Sequence, residues 1–120
     1  MHQFDLKNKT AVITGGAQGF GLDIAKKFLF SGSKVFIWDI DEKELSKSTK
    51  EINNSNLNYS VVDVSNFDQV QKTVSEITSK NNIDILVNNA GITGPTAELW
   101  NYNIKDWNSI IEINLHGTFH

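Results

Sequence analysis

In the run Thr14-Gly15-Gly16-Ala17-Gln18-Gly19-Phe20-Gly21, four of the eight residues are glycine. A β-branched apolar stretch, residues 10–14, stands before it, and a segment of helical periodicity follows. A glycine turn that opens onto a helix N-terminus presents free backbone N–H groups and the positive end of the helix dipole, the chemistry that holds a pyrophosphate. Glycine also lets the backbone approach such a ligand closely, which makes Gly15, Gln18, Gly19, Phe20 and Gly21 the candidate contacts. The plainer use of these glycines is a tight strand-to-helix turn that needs positive φ. Asp39 comes 18 residues after Gly21, at the end of the next apolar run. A dinucleotide fold places there the acid that accepts hydrogen bonds from the adenosine ribose. The alternative role for Asp39 is the N-cap of the following helix, although Asp41 can fill that place. A carboxylate at this point repels a 2′-phosphate, and neither Gln18 nor Ile40 supplies a cation to offset it. All eleven basic residues are lysine, so there is no guanidinium fork to grip such a phosphate. The pattern therefore points to NAD, with NADP less favoured.

The elements that must position these groups alternate along the chain. Residues 10–14 read as a first strand buried on both faces. Leu22, Ala25, Phe28 and Leu29 recur at three- and four-residue steps and give an amphipathic helix that stops at Ser31-Gly32. Residues 35–38 make a second strand. A lysine- and glutamate-rich helix with Leu45, Thr49 and Ile52 on one face follows and ends in an asparagine cluster. Residues 59–62 are expected as a third strand. Phe67, Val70, Val74 and Ile77 form the stripe of a third helix, capped by Ser65 or Asn66. Residues 83–87 supply a fourth strand, and a fourth helix begins at Ile104 with Trp107, Ile110 and Ile111 on one side. Asn114 continues that stripe, seven residues after Trp107 and four after Ile110. A buried amide must find partners there or cost about 1 to 3 kcal/mol. Strand and helix alternating through short connections imply an α/β fold, a Rossmann-type doubly wound parallel sheet.

Composition narrows the function classes. The chain has 120 residues, 39% hydrophobic and 21% charged, which suits one domain core, residues 1–120, and is short for a two-domain enzyme. Eleven basic against fourteen acidic residues give a net charge of -3, and no basic run could neutralise a row of phosphates, so nucleic acid is not an expected partner. No apolar stretch approaches the roughly 18 residues that span a bilayer, and the first residues lack the apolar core of a signal peptide. The expectation is a cytoplasmic protein without a membrane partner. There is no cysteine, and His2, His116 and His120 form no ligand cluster with the carboxylates, so no metal is expected.

The glycine turn matches the Thr-Gly-x-x-x-Gly-x-Gly spacing of the short-chain dehydrogenase/reductases, with Phe20 where isoleucine or leucine is more usual. Three further stretches resemble that family in order: Asp63-Val64-Ser65, Asn88-Asn89-Ala90-Gly91, and Asn114 within Ile113-Asn114-Leu115-His116-Gly117-Thr118-Phe119. The resemblance runs from Leu6 to the last residue. It implies that Asp63 contacts the adenine amino group and the Val64 backbone completes the adenine edge; the plainer role of Asp63 is turn formation or capping. It further implies that Asn89, Ala90 and Gly91 line the cofactor beside the nicotinamide ribose, that Asn88 braces the sheet centre, and that Asn114 holds a water of the proton relay at a local disturbance of its helix. The loop around Gly91 could otherwise be an ordinary asparagine-glycine turn, and Asn114 a buried amide bonded to backbone.

The same resemblance implies an oxidoreductase moving hydride between a nicotinamide and a carbonyl or secondary alcohol, with a small-molecule substrate and a homo-oligomeric parent. Gly94-Pro95 adds a likeness to 3-oxoacyl carrier-protein reductases and to sugar or polyol dehydrogenases. The family's catalytic serine, tyrosine and lysine have no counterpart in the chain: Tyr59 is followed four residues on by Asp63, and Tyr102 by Asp106. The expectation is thus the amino-terminal, cofactor-binding part of a longer enzyme, truncated after the fourth strand and the start of the following helix. That order of strands, 3-2-1-4 before the missing ones, would leave strand four as an exposed apolar edge. The alternative is a catalytically silent dinucleotide-binding or interaction module.

Overall fold

The computed structural model describes residues 2–120. Four parallel strands, β1 (Thr10–Thr14), β2 (Lys34–Asp39), β3 (Leu57–Val61) and β4 (Ile85–Val87), form one sheet in the order β3-β2-β1-β4. Between them run α1 (Gly19–Phe30), α2 (Glu42–Ile52) and α3 (Phe67–Thr78). After β4 come a 3-10 turn (Leu99–Asn101), α4 (Ile104–Ile111), a π-helical turn (Glu112–His116) and a last α-helical turn, α5 (Gly117–Phe119).

Period-two alternation divides the core between the two faces of the sheet. Ile13, Val35 and Ile37 pack with Ala25 and Leu29 of α1 and Leu45 of α2. Their neighbours Val12 and Trp38 point the other way, onto Val70 and Ile77 of α3. All five residues of β1 are buried, as a strand with helices on both sides requires. This is the doubly wound parallel arrangement expected from the sequence.

Strand and helix edges differ from expectation in places. β3 begins two residues earlier than expected, because Leu57 is buried and pairs with Val35. β4 begins two residues late: it pairs only with residues 11–13, and the Asp84 carboxylate takes the Thr10 N–H at 2.9 Å. On α2 Leu45 is buried, Thr49 and Ile52 are half-buried on the expected face, and Ser48 joins them in the interior. Asn66 caps α3, its side chain accepting from the Gln69 N–H at 3.1 Å. β4 lies at the sheet edge, and Leu86 is 56% exposed there. Among the described residues no helix is long and apolar enough to cross a membrane.

Candidate functional site

The carboxyl ends of all four strands open on one side of the sheet, where β1 hands the chain to α1. Gly15 and Gly19 both take positive φ, +64° and +60°, which favours glycine. Gly21 is glycine for a different reason. A Cβ on it would lie 2.6 Å from the Asn89 side-chain nitrogen and closer still to the Gly15 carbonyl. That crowding arises because the Asn89 amide donates to the Gly15 carbonyl at 3.0 Å. Thr14 completes the joint: its hydroxyl oxygen accepts from the N–H groups of Asn89, at 3.1 Å, and Ala90, at 3.0 Å. The glycine turn and the loop after β4 are therefore one hydrogen-bonded unit. The Ser48 hydroxyl adds a tie from α2, donating to the Ala17 carbonyl at 2.7 Å.

The N-terminus of α1 is unlike those of its neighbours. Asp41, Asn66 and Asn103 cap α2, α3 and α4 with their side chains, and each of those helices has an acid in its first turn. α1 has Gln18 at its N-cap with no side-chain capping bond and no acid in the first turn. Its first N–H groups have no intrahelical partner and are left for an external acceptor, with the helix dipole favouring an anion.

Asp39 ends β2 beside this turn. One carboxylate oxygen accepts from the Ala17 N–H at 3.3 Å and the other from the Asp41 N–H at 3.1 Å. Asp41, not Asp39, caps α2, accepting from the Glu44 N–H. Asp63 forms a turn with one oxygen, which accepts from the Ser65 N–H at 2.9 Å and the Ser65 hydroxyl at 2.6 Å.

These groups enclose a cleft of about 440 Å³. Eight of the residues singled out from the sequence line it: Gly15, Gln18, Asp39, Asp63, Val64, Asn89, Ala90 and Gly91. Gly19, Phe20 and Gly21 do not. Gly21 is packed beneath the turn, and Phe20 projects outward at 82% exposure. Asn88, directly after β4, is exposed at the edge of the four-stranded sheet that the described residues form. The lining holds three carboxylates, of Asp39, Asp41 and Asp63, and no lysine. Thr14 and Ser48 were not found by sequence reasoning, because their partners lie 75 and 31 residues away.

Asn114 lies in the π-helical turn, the local disturbance that the resemblance implied. Its amide makes a reciprocal pair with Ile92, accepting from that N–H at 2.8 Å and donating to that carbonyl at 2.7 Å. The stripe pattern predicted a buried amide, and the structure corrects this: Asn114 is exposed. The α4 face that carries Ile104 and Trp107 is itself 74% and 49% exposed at those residues, with no layer packed over it among the described residues. Asn114 is satisfied by backbone nonetheless.

The sequence profile described as short chain dehydrogenase matches residues 9–120. The chain belongs to this family. Among curated relatives, a 3-oxoacyl-(acyl-carrier-protein) reductase of Chlamydia muridarum is 36% identical over 118 residues, covering 95% of this chain and 47% of that protein. Among solved structures, 3-ketoacyl-(acyl-carrier-protein) reductase from Brucella melitensis, complexed with NADH, superposes with a TM-score of 0.89 at 33% identity, covering 95% of this chain and 47% of that one. Gluconate 5-dehydrogenase from Burkholderia cenocepacia J2315, in complex with NADP and tartrate, gives 0.86 at 32% identity, covering 98% and 47%. The short-chain dehydrogenase chain described here thus spans about half the length of the relatives it matches.

Proposed function

We propose that the chain is the nucleotide-binding part of an NAD-dependent oxidoreductase that moves hydride between the nicotinamide and a carbonyl or secondary alcohol. The residues fit a dinucleotide. The α1 N-terminus is uncapped and free of acids, Gly15 and Gly19 give the turn before it the positive φ that glycine allows, and the cleft lies where strand order reverses around β1 and β4. The bound cofactor would supply or accept the hydride. In this reading Gly15, Gln18, Gly19 and Phe20 present backbone to the pyrophosphate, and Gly21 lets the turn pack close beneath it. Asp63 and the Val64 backbone face the adenine, and Asn89, Ala90 and Gly91 line the nicotinamide ribose. Asn114 holds the loop at Ile92 and supports proton transfer from there, while neither tyrosine of the chain is assigned as the acid. A 3-oxoacyl-(acyl-carrier-protein) reductase at 36% identity and a gluconate 5-dehydrogenase at 32% are both among the relatives, so the proposal stops at the carbonyl or alcohol class.

The observation that carries NAD over NADP is Asp39 in a cleft wall that bears three carboxylates and no cation. Its carboxylate accepts from the ribose hydroxyls and repels a phosphate in their place. Tryptophan fluorescence titration of wild type and Asp39→Ala with NADH and NADPH tests this. Wild type should prefer NADH by about tenfold or more, the worth of a charged hydrogen bond, and Asp39→Ala should lose most of the preference. Equal affinity of wild type for both nucleotides overturns the assignment.

A further inference from the structure

We propose that His120 is a positioning residue for the adenine end of the cleft, holding the wall formed by Asp63, Val64 and Ser65 against the last helical turn. The proposal rests on the dinucleotide reading given above. Val64 lines the cleft, and its carbonyl oxygen lies 2.8 Å from His120 Nδ1. A carbonyl offers only lone pairs, so Nδ1 carries the proton and donates. The imidazole also meets the Phe67 ring edge to face, with centroids 5.6 Å apart. One side chain thus touches both ends of residues 64–67, the stretch that joins the cleft wall to α3.

Gly117 supports the same contact from the preceding turn. A Cβ at that position would lie 2.7 Å from Val64 Cγ2, so glycine is what lets the helix come this close. The bonds within the wall, from Ser65 to the Asp63 carboxylate and from the Asn66 N–H to the Asp63 carbonyl, set its local shape. They do not fix its distance from the helix that follows α4. His120 does that, and Asn114 does the equivalent at Ile92 on the opposite lip. The helical stretch 112–120 therefore spaces the two lips of the cleft, one hydrogen-bonded side chain to each.

The test uses the full-length protein, with calorimetric titration of NADH and AMP into wild type, His120→Ala and His120→Asn, and nitrogen-15 NMR of the imidazole. AMP isolates the adenine half. His120→Ala should weaken NADH and AMP by the same factor, about three- to tenfold for one hydrogen bond lost. His120→Asn, whose amide can donate from near the Nδ1 position, should recover most of the loss, and the wild-type ring should be protonated at Nδ1. Unchanged affinities in His120→Ala, or an asparagine variant no better than alanine, overturn the positioning role while leaving the dinucleotide reading intact. A wild-type protein that binds neither nucleotide is a different result: it overturns the dinucleotide reading and this proposal with it.

Discussion

The joint between the glycine turn and the loop after β4 can be tested by a double-mutant cycle on Gly21 and Asn89. Gly21 is buried and its φ is not positive, so alanine there meets no backbone strain and gains the roughly 1 kcal/mol that alanine holds over glycine in a helix. Against this, its Cβ would sit 2.6 Å from the Asn89 nitrogen and press on the Gly15 carbonyl, which is backbone and yields little. Overpacking of that kind costs about 1 to 3 kcal/mol. Parting Asn89 from Gly15 to make room removes their 3.0 Å bond and costs about 1 kcal/mol more. The net expectation for Gly21→Ala is a loss of about 1 to 3 kcal/mol. Asn89→Ala should cost about 1 to 2 kcal/mol, because the Gly15 carbonyl is left without its partner. The same bond is lost in both variants, so the double variant should fall short of the sum by about 1 kcal/mol. Gly19→Ala is the control. No atom lies within 4 Å of its Cβ, so it should cost about 1 to 2 kcal/mol through its positive φ and add independently to Asn89→Ala. Urea unfolding of the full-length protein without nucleotide gives all the values. Additivity of Gly21→Ala with Asn89→Ala to within about 0.5 kcal/mol would refute the shared-bond argument.

Thr14→Val keeps the shape of the side chain but removes the oxygen that accepts from the Asn89 and Ala90 N–H groups. It should cost about 2 kcal/mol and speed hydrogen exchange at those two amides, while amides of α3 keep their protection. Gln18→Asp gives α1 the cap it lacks; it should raise stability without nucleotide by about 1 kcal/mol and weaken NADH binding, read by paired melts and titrations.

Features that depend on near neighbours were legible in the sequence. β1, the glycine turn and α1 follow one another within 21 residues, and their buried run, positive-φ glycines and three- to four-residue periodicity are local signals. The caps at Asp41 and Asn66 are equally local, each closing on an N–H three residues on. What escaped notice depends on groups that meet only after the sheet has assembled. Thr14 looks like the last β-branched residue of a strand, and nothing in its surroundings announces the two amides it holds from 75 and 76 residues away. The late start of β4 has the same origin, since Asp84 competes with its own strand for the Thr10 N–H. Asn114 was misjudged in the opposite direction. Periodicity counts which face a residue shares, and it cannot say whether that face is covered.

The position of the functional groups follows from where this fold gives up stability. Capping by a side chain is worth about 1 kcal/mol, and an acid in the first turn adds a few tenths to about 1 kcal/mol. α2, α3 and α4 have both, so the sequence supplies suitable residues wherever a helix begins at the surface. At α1 it supplies neither, yet the turn leading into that helix is braced by hydrogen bonds from Thr14, Asn89 and Ser48 and by close packing at Gly21. A helix start that is merely loose would lack both the cap and the bracing. One that is braced without being capped holds its N–H groups still and open, the arrangement an anionic ligand requires. Asp39 then has little to do with helix capping, which Asp41 performs, and remains in the cleft with two backbone bonds that fix the direction of its carboxylate. An uncapped helix start that favours an anion and a carboxylate that favours hydroxyl donors are opposite electrostatic demands on one cleft, and the proposed NAD reading is the one that uses both.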